Sequence, residues 1–200
     1  YSDGTPRWVL LGFHADLPPK GKAVYRLARG PGANVKQRLV YTLTDGVAAI
    51  DTGAAKFRID THRFRLFDSV QVGGQELLND ASDGGACLEE EDGSRHGGDQ
   101  KTSKAEFEDA GPMAALLCVR GELRPGPGLP LADYVCRMRF CAGKSEVRVF
   151  YTLHNPAAHH HPGNVWDLGA GGSVFMEDFS IVVPLARGLA TSRVGVDADR

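Results

Sequence analysis

Ala132-Asp133-Tyr134-Val135-Cys136-Arg137-Met138-Arg139-Phe140-Cys141 is the stretch that decides the fold. Tyr134, Cys136, Met138 and Phe140 recur at every second position, with Arg137 and Arg139 between them. Successive side chains of a strand point to opposite faces, so this pattern predicts a strand with one buried and one solvated face. Residues 146–153 repeat it, with Val147, Val149, Tyr151 and Leu153 inward and Glu146, Arg148 and Thr152 outward. Gly143-Lys144 reads as the turn between them, which predicts a long antiparallel hairpin. A slip of one residue would bury Arg137, Arg139 and Arg148, so the register is strongly specified.

The same strand-and-turn rhythm runs outward in both directions. Residues 37–44 alternate with Leu39, Tyr41 and Leu43 on one face, and Asp45-Gly46 is a turn. Residues 47–50, the break Asp51-Thr52-Gly53, residues 56–60, and residues 64–72 leading into Gly73-Gly74 continue the pattern. Residues 173–184 form a last strand. Towards the start, residues 7–13 read as a buried strand with Trp8 in the core. Leu17-Pro18-Pro19-Lys20-Gly21 breaks that strand, and residues 23–28 are the next. Residues 80–101 are polar and glycine-rich, contain Glu89-Glu90-Glu91-Asp92, and read as a surface excursion. The acidic run lacks the spaced ligands of a calcium loop and reads as solvated. No segment sustains an apolar period of 3.6, so no substantial helix is expected. The expectation is an all-β chain: a partial small barrel or sheet over residues 1–45, then an antiparallel β-sandwich over residues 46–200.

Composition agrees. The 200 residues can bury a real core, and 25 glycines and 11 prolines suit many short strands joined by turns. A net charge of -2 argues against nucleic acid as a partner, which requires a basic excess. No apolar stretch approaches the roughly 20 residues that span a bilayer, so no membrane is expected either. Cys87, Cys118, Cys136 and Cys141 form no metal-type pair. Cys136 and Cys141 face opposite sides of their strand and cannot bridge, so free thiols are expected; a long-range bridge of the Cys87–Cys118 type stays open. The chain opens at Tyr1 in mid-pattern, which suggests an excerpt from a longer protein.

Several segments resemble one family in the same order. Asp3-Gly4-Thr5-Pro6-Arg7-Trp8 and the residues after it resemble the N-terminal RIFT-barrel domain of exo-rhamnogalacturonan lyase-like proteins, the YetA-like group. Asp51-Thr52-Gly53-Ala54 through Phe67-Asp68-Ser69-Val70-Gln71-Val72-Gly73-Gly74 resembles the start of that family's central, supersandwich-like β-sandwich. Gly111-Pro112-Met113-Ala114-Ala115 through Gly121, Tyr134 through Asn155, and Pro162-Gly163-Asn164-Val165-Trp166-Asp167-Leu168-Gly169 fit the same sandwich. The resemblance covers most of the chain. It implies a RIFT-type barrel cut at its N-terminus, a sandwich cut at its C-terminus, and a missing α/α barrel of the same protein as partner. It also implies a secreted or periplasmic lyase that cleaves an acidic polysaccharide of rhamnogalacturonan type by β-elimination. No catalytic residue of the family is carried over onto this chain.

Lyase chemistry needs a cation to neutralise the uronate carboxylate, a base for the C5 proton, and an acid for the leaving oxygen. Arg137, Arg139, Arg148, His154 and Tyr151 are of the right types, and the three arginines fall on the polar faces of adjacent strands. The alternative is a solvated face with cross-strand pairs such as arginine to Glu146. His159-His160-His161 sits in a loop beside Pro162-Gly163. Adjacent imidazoles point apart, so sugar contact through His159 or His161, or plain solvation, is expected rather than metal. Trp166 is a candidate for stacking on a sugar face, with loop packing as the alternative. Gly169-Ala170-Gly171-Gly172 reads as a turn; no phosphate cradle, nucleophile elbow or HExxH motif is present, and no cofactor is expected. Two functions therefore compete: the substrate-lining front of a polysaccharide lyase, inactive by itself, or a stand-alone carbohydrate-binding sandwich. Paired amphipathic helices encoded beyond Arg200 would distinguish the first from the second.

Overall fold

The computed structural model of the protein describes residues 8, 11–15, 17–28, 30, 37–79, 84–97, 101–124, 130–156 and 173–186. Within these, alternation becomes strand wherever a neighbour can satisfy the backbone. The strands are β1 (Val40–Thr44), β2 (Val47–Asp51), β3 (Ala55–Asp60), β4 (Ser69–Val72), β5 (Gln75–Glu76), β6 (Gly85–Glu90), β7 (Arg95–Gly97), β8 (Lys101–Ala110), β9 (Ala114–Leu123), β10 (Ala132–Cys141), β11 (Val147–His154) and β12 (Met176–Val182). No helix occurs among the described residues. The strands form a five-stranded sheet β1-β2-β3-β4-β5, a four-stranded sheet β11-β10-β9-β8 and a three-stranded sheet β12-β6-β7. Every pairing is antiparallel. The chain has the all-β, sandwich-type architecture expected of it.

The β1–β2 hairpin shows how local chemistry sets register. Asp45 and Gly46 both take left-handed φ, 50° and 72°, the mirror-image turn whose twist suits flanking strands. A side chain at Gly46 would also collide with the His62 ring. Val40 then stands opposite Asp51, which puts Tyr41 and Leu43 on the core side. Asp45 lies at the tip of a hairpin whose two arms share one sheet.

The core lies between the five-stranded and four-stranded sheets. Ile50, Phe57, Ile59 and Phe64 meet Leu117, Val119, Tyr134, Met138 and Phe140 there, all buried. Rings cross the interface at 5.2 Å (Phe57–Phe140), 5.8 Å (Phe64–Tyr134) and 4.8 Å (Tyr41–Phe107). Burying each large side chain contributes about 1.5–3 kcal/mol. The third sheet joins through Leu88, fully buried, and through Phe179, whose ring lies 5.4 Å from Tyr151.

One end of the sandwich is closed by turns bonded to each other. Gly143 N–H donates to the Thr52 carbonyl at 2.6 Å, and Ala142 N–H donates to the Met113 carbonyl at 2.9 Å. Leu39 N–H donates to the Pro112 carbonyl at 2.8 Å. Thr52 is itself fully buried, and its hydroxyl accepts from Ala55 N–H at 2.9 Å. The β10–β11 turn is thus tied to the opposite sheet.

Three expectations need correction. Trp8 is 85% exposed, and Leu11, Phe13, Val24, Tyr25 and Leu27 are exposed as well. Residues 7, 9 and 10 lie outside the described residues; neither 8 and 11–13 nor 23–28 form a strand, and no described strand neighbours them to take their backbone groups. Residues 80–101 are no mere excursion: they hold β6, β7 and the start of β8. The buried apolar side chains of β6, Ala86 and Leu88, are too few to stand out against their glycine-rich flanks. The acidic run divides, with Glu89 and Glu90 on β6 pairing to Arg95 and His96 across the hairpin.

Candidate functional site

The polar positions of β10 and β11 form the outward face of the four-stranded sheet. The predicted inward residues of β10 are all buried, and β11 alternates half-buried and exposed along its whole length. Register places Arg139 directly opposite Arg148, Arg137 opposite His154's distant neighbour Phe150, and Asp133 opposite His154 itself. Arg137, Arg139 and Arg148 therefore do share one face.

Their environments differ. Strand β8 carries a bulge between Phe107 and Asp109, which makes Glu108 the extra residue. A bulge re-aims the side chain it carries, and here the Glu108 carboxylate reaches two arginines. Arg137 Nε donates to Glu108 Oε2 at 2.6 Å, Arg137 Nη2 donates to Oε1 at 3.0 Å, and Arg120 Nη2 donates to Oε1 at 2.6 Å. The Arg137 hydrogen bond holds the Glu108 carboxyl down to about 2. Beneath this cluster lies Cys118, opposite Arg137 in register, buried and pushed up to about 11 by burial and then by Glu108. Arg137 is thus engaged by a carboxylate, as is Arg120.

Arg139 and Arg148 have no such partner. With Lys144, Glu146 and Cys141 they line an open hollow of about 260 Å³ at the end of the hairpin. None of the four charged side chains pairs with another described residue. The expected arginine pair with Glu146 is not made. Like charges directly opposite on neighbouring strands are destabilising, so the sheet carries an unneutralised cationic spot here.

Phe150 completes the face. It is 52% exposed, stands opposite Arg137, and is two residues from Arg148 on the same side of β11. An aromatic ring held outward between cations offers a flat apolar surface beside charge. Phe150 escaped the sequence reading because its type suits a core; its even-numbered position, in step with Arg148 and Thr152, was the signal. Lys144, a turn residue by sequence, gives no signal of its own there. Glu108 as a partner for Arg137 depends on the bulge, which has no clear sequence signature.

His154 lies on the same outward side, six residues along β11 from Arg148, or roughly 20 Å. Its Nδ1 is 3.8 Å from Asp133 Oδ2, so it belongs to the far end of the strand pair and not to the hollow. His159, His161 and Trp166 lie outside the described residues. Tyr151 faces inward, in a ring stack 5.5 Å from Tyr134 and 5.4 Å from Phe179. Tyr134 is buried, its hydroxyl 3.2 Å from that of Thr102, and burial pushes its phenol up to about 12. Burial also pushes the Cys136 thiol up to about 12, and all four cysteines are free. The phenol of Tyr134 and the thiols of Cys118 and Cys136 thus keep their protons near neutral pH. No His, Cys, Asp and Glu cluster able to hold a metal occurs among the described residues. No helix among them is long and apolar enough to cross a membrane.

The chain matches no protein-family model and no curated protein.

Proposed function

We propose that this chain is the N-terminal and central part of a polysaccharide lyase of the exo-rhamnogalacturonan lyase-like kind. In this reading it binds and lines the path of a rhamnogalacturonan-like acidic polysaccharide outside the cell or in the periplasm, and the chain alone does not cleave it. The observation that carries the binding role is Phe150, exposed on a sheet face two residues from Arg148, whose guanidinium pairs with no described carboxylate. Sugar rings stack on aromatic faces, and uronate carboxylates seek guanidinium groups. The ordered resemblance of Asp51 through Gly74, Gly111 through Gly121 and Tyr134 through Asn155 to the family's sandwich supports the lyase context.

Calorimetric titration with rhamnogalacturonan oligosaccharides tests the reading. Saturable binding is expected, weakened roughly three- to tenfold in Phe150→Ala at unchanged melting temperature. No growth of ultraviolet absorbance from unsaturated product is expected with the chain alone. Absence of binding, or equal binding by Phe150→Ala, refutes the role given to this face.

A further inference from the structure

Within the outward face, the fold treats its arginines unequally, and that inequality points to a particular subsite. Arg120 and Arg137 are held by one carboxylate, Glu108, at 2.6–3.0 Å. Arg139 and Arg148 stand opposite each other with Lys144 beside them and no described counter-charge in contact. We infer that Arg139, Lys144 and Arg148 form a pocket for the carboxylate of one acidic sugar unit, with Glu146 accepting a hydrogen bond from a neighbouring ring hydroxyl. This deepens the acidic-polysaccharide reading and rests on it.

Four features support the assignment. The hollow of about 260 Å³ has room for a carboxylate and part of its ring. Two guanidinium groups facing one space favour a planar anion, which each can grip through paired N–H donors. The frame is stiff: Lys144 N–H donates to the Cys141 carbonyl at 3.2 Å, and the adjoining Gly143 is bonded to Thr52 of the opposite sheet. A stiff frame holds its cations together without a ligand, so less ordering is needed on binding. Glu146 adds what a bare anion site lacks, an acceptor beside the cations, which suits a hydroxylated acid and disfavours a simple inorganic anion.

Backbone amide NMR of the full chain, titrated in parallel with digalacturonate, digalactose and inorganic sulfate, tests this. Digalacturonate is expected to shift resonances of residues 139–148 saturably, with digalactose silent and sulfate at least tenfold weaker. Lys144→Gln with Arg148→Gln is expected to abolish those shifts. Glu146→Ala, which removes the acceptor, is expected to bring digalacturonate down towards sulfate. If digalacturonate binds elsewhere and the double variant binds as well as wild type, the subsite falls while the acidic-polysaccharide reading survives. If sulfate matches digalacturonate in the hollow, the sugar-acid assignment falls. If no acidic saccharide binds anywhere, both readings fall together.

Discussion

Arg148→Glu should make the protein more stable while destroying the subsite. Arg148 has Arg139 directly across the strand pair and Lys144 nearby, with Glu146 two residues before it, just ahead of β11. Two positive neighbours against one negative leave one net positive. At roughly 7 Å in water a unit pair is worth about 0.6 kcal/mol. Reversing the charge changes repulsion to attraction, a swing of about 1.2 kcal/mol at low ionic strength. For a protein of this size that is a rise in melting temperature of about 2–5 °C. Screening at physiological salt should halve it, and 1 M salt should nearly erase it. Arg148→Gln should show about half the rise. The assay is thermal unfolding at three salt concentrations, followed by β-sheet circular dichroism. A fall in melting temperature, or a rise that persists at 1 M salt, would show that Arg148 is not repelled by its neighbours. Such a result would mean Arg148 is neutralised by a contact absent from the described residues.

Phe140→Ala removes a fully buried ring 5.2 Å from Phe57 and should lower stability by about 3–5 kcal/mol in urea titrations, much of a domain's margin; a loss under about 1 kcal/mol would show that the two sheets do not pack through it. Glu108→Gln should change the acid behaviour. The Glu108 carboxyl is depressed from 4.5 to about 2, so its contribution is complete above 4.5 and disappears as pH falls through about 2. The difference in urea midpoint between wild type and Glu108→Gln should therefore be present at pH 6 and gone near pH 2, and a pH-independent difference would contradict the ion-pair account.

The central hairpin was legible because polar and apolar residues alternate without interruption on both strands. Burying Arg137, Arg139 or Arg148 is costly enough to leave one register. The β1–β2 turn was legible for a similar reason, since Asp-Gly accepts the left-handed φ that the turn demands. The N-terminal strands do not appear because alternation proves only that a segment is able to pair; Trp8, Leu11 and Phe13 have no partner strand among the described residues. Leu88 was hidden because two buried apolar side chains in a polar, glycine-rich run give no period to detect. On the candidate face, the three arginines were visible, but their inequality was not. It depends on a bulge in β8 that turns Glu108 towards two of the outward arginines, Arg120 and Arg137, and leaves Arg139 and Arg148 alone.

The order of strands has a kinetic consequence. Within the five-stranded and four-stranded sheets each strand lies beside its neighbour in the chain, so both assemble through short loops. The third sheet is different: Ser180 of β12 sits opposite Cys87 of β6. Closing a loop of about 90 residues instead of about four costs on the order of 3 kcal/mol more in chain entropy. That pairing therefore gains most from having the rest already folded, and it should be the last to form. Until it closes, Leu88 and Phe179 lack their shared cover, and the β6 edge stands open beside the thiol of Cys87. Early collapse into two meanders, followed by a late latch, makes the stretch from β11 to β12 the interval during which a newly made chain is most exposed to misassociation.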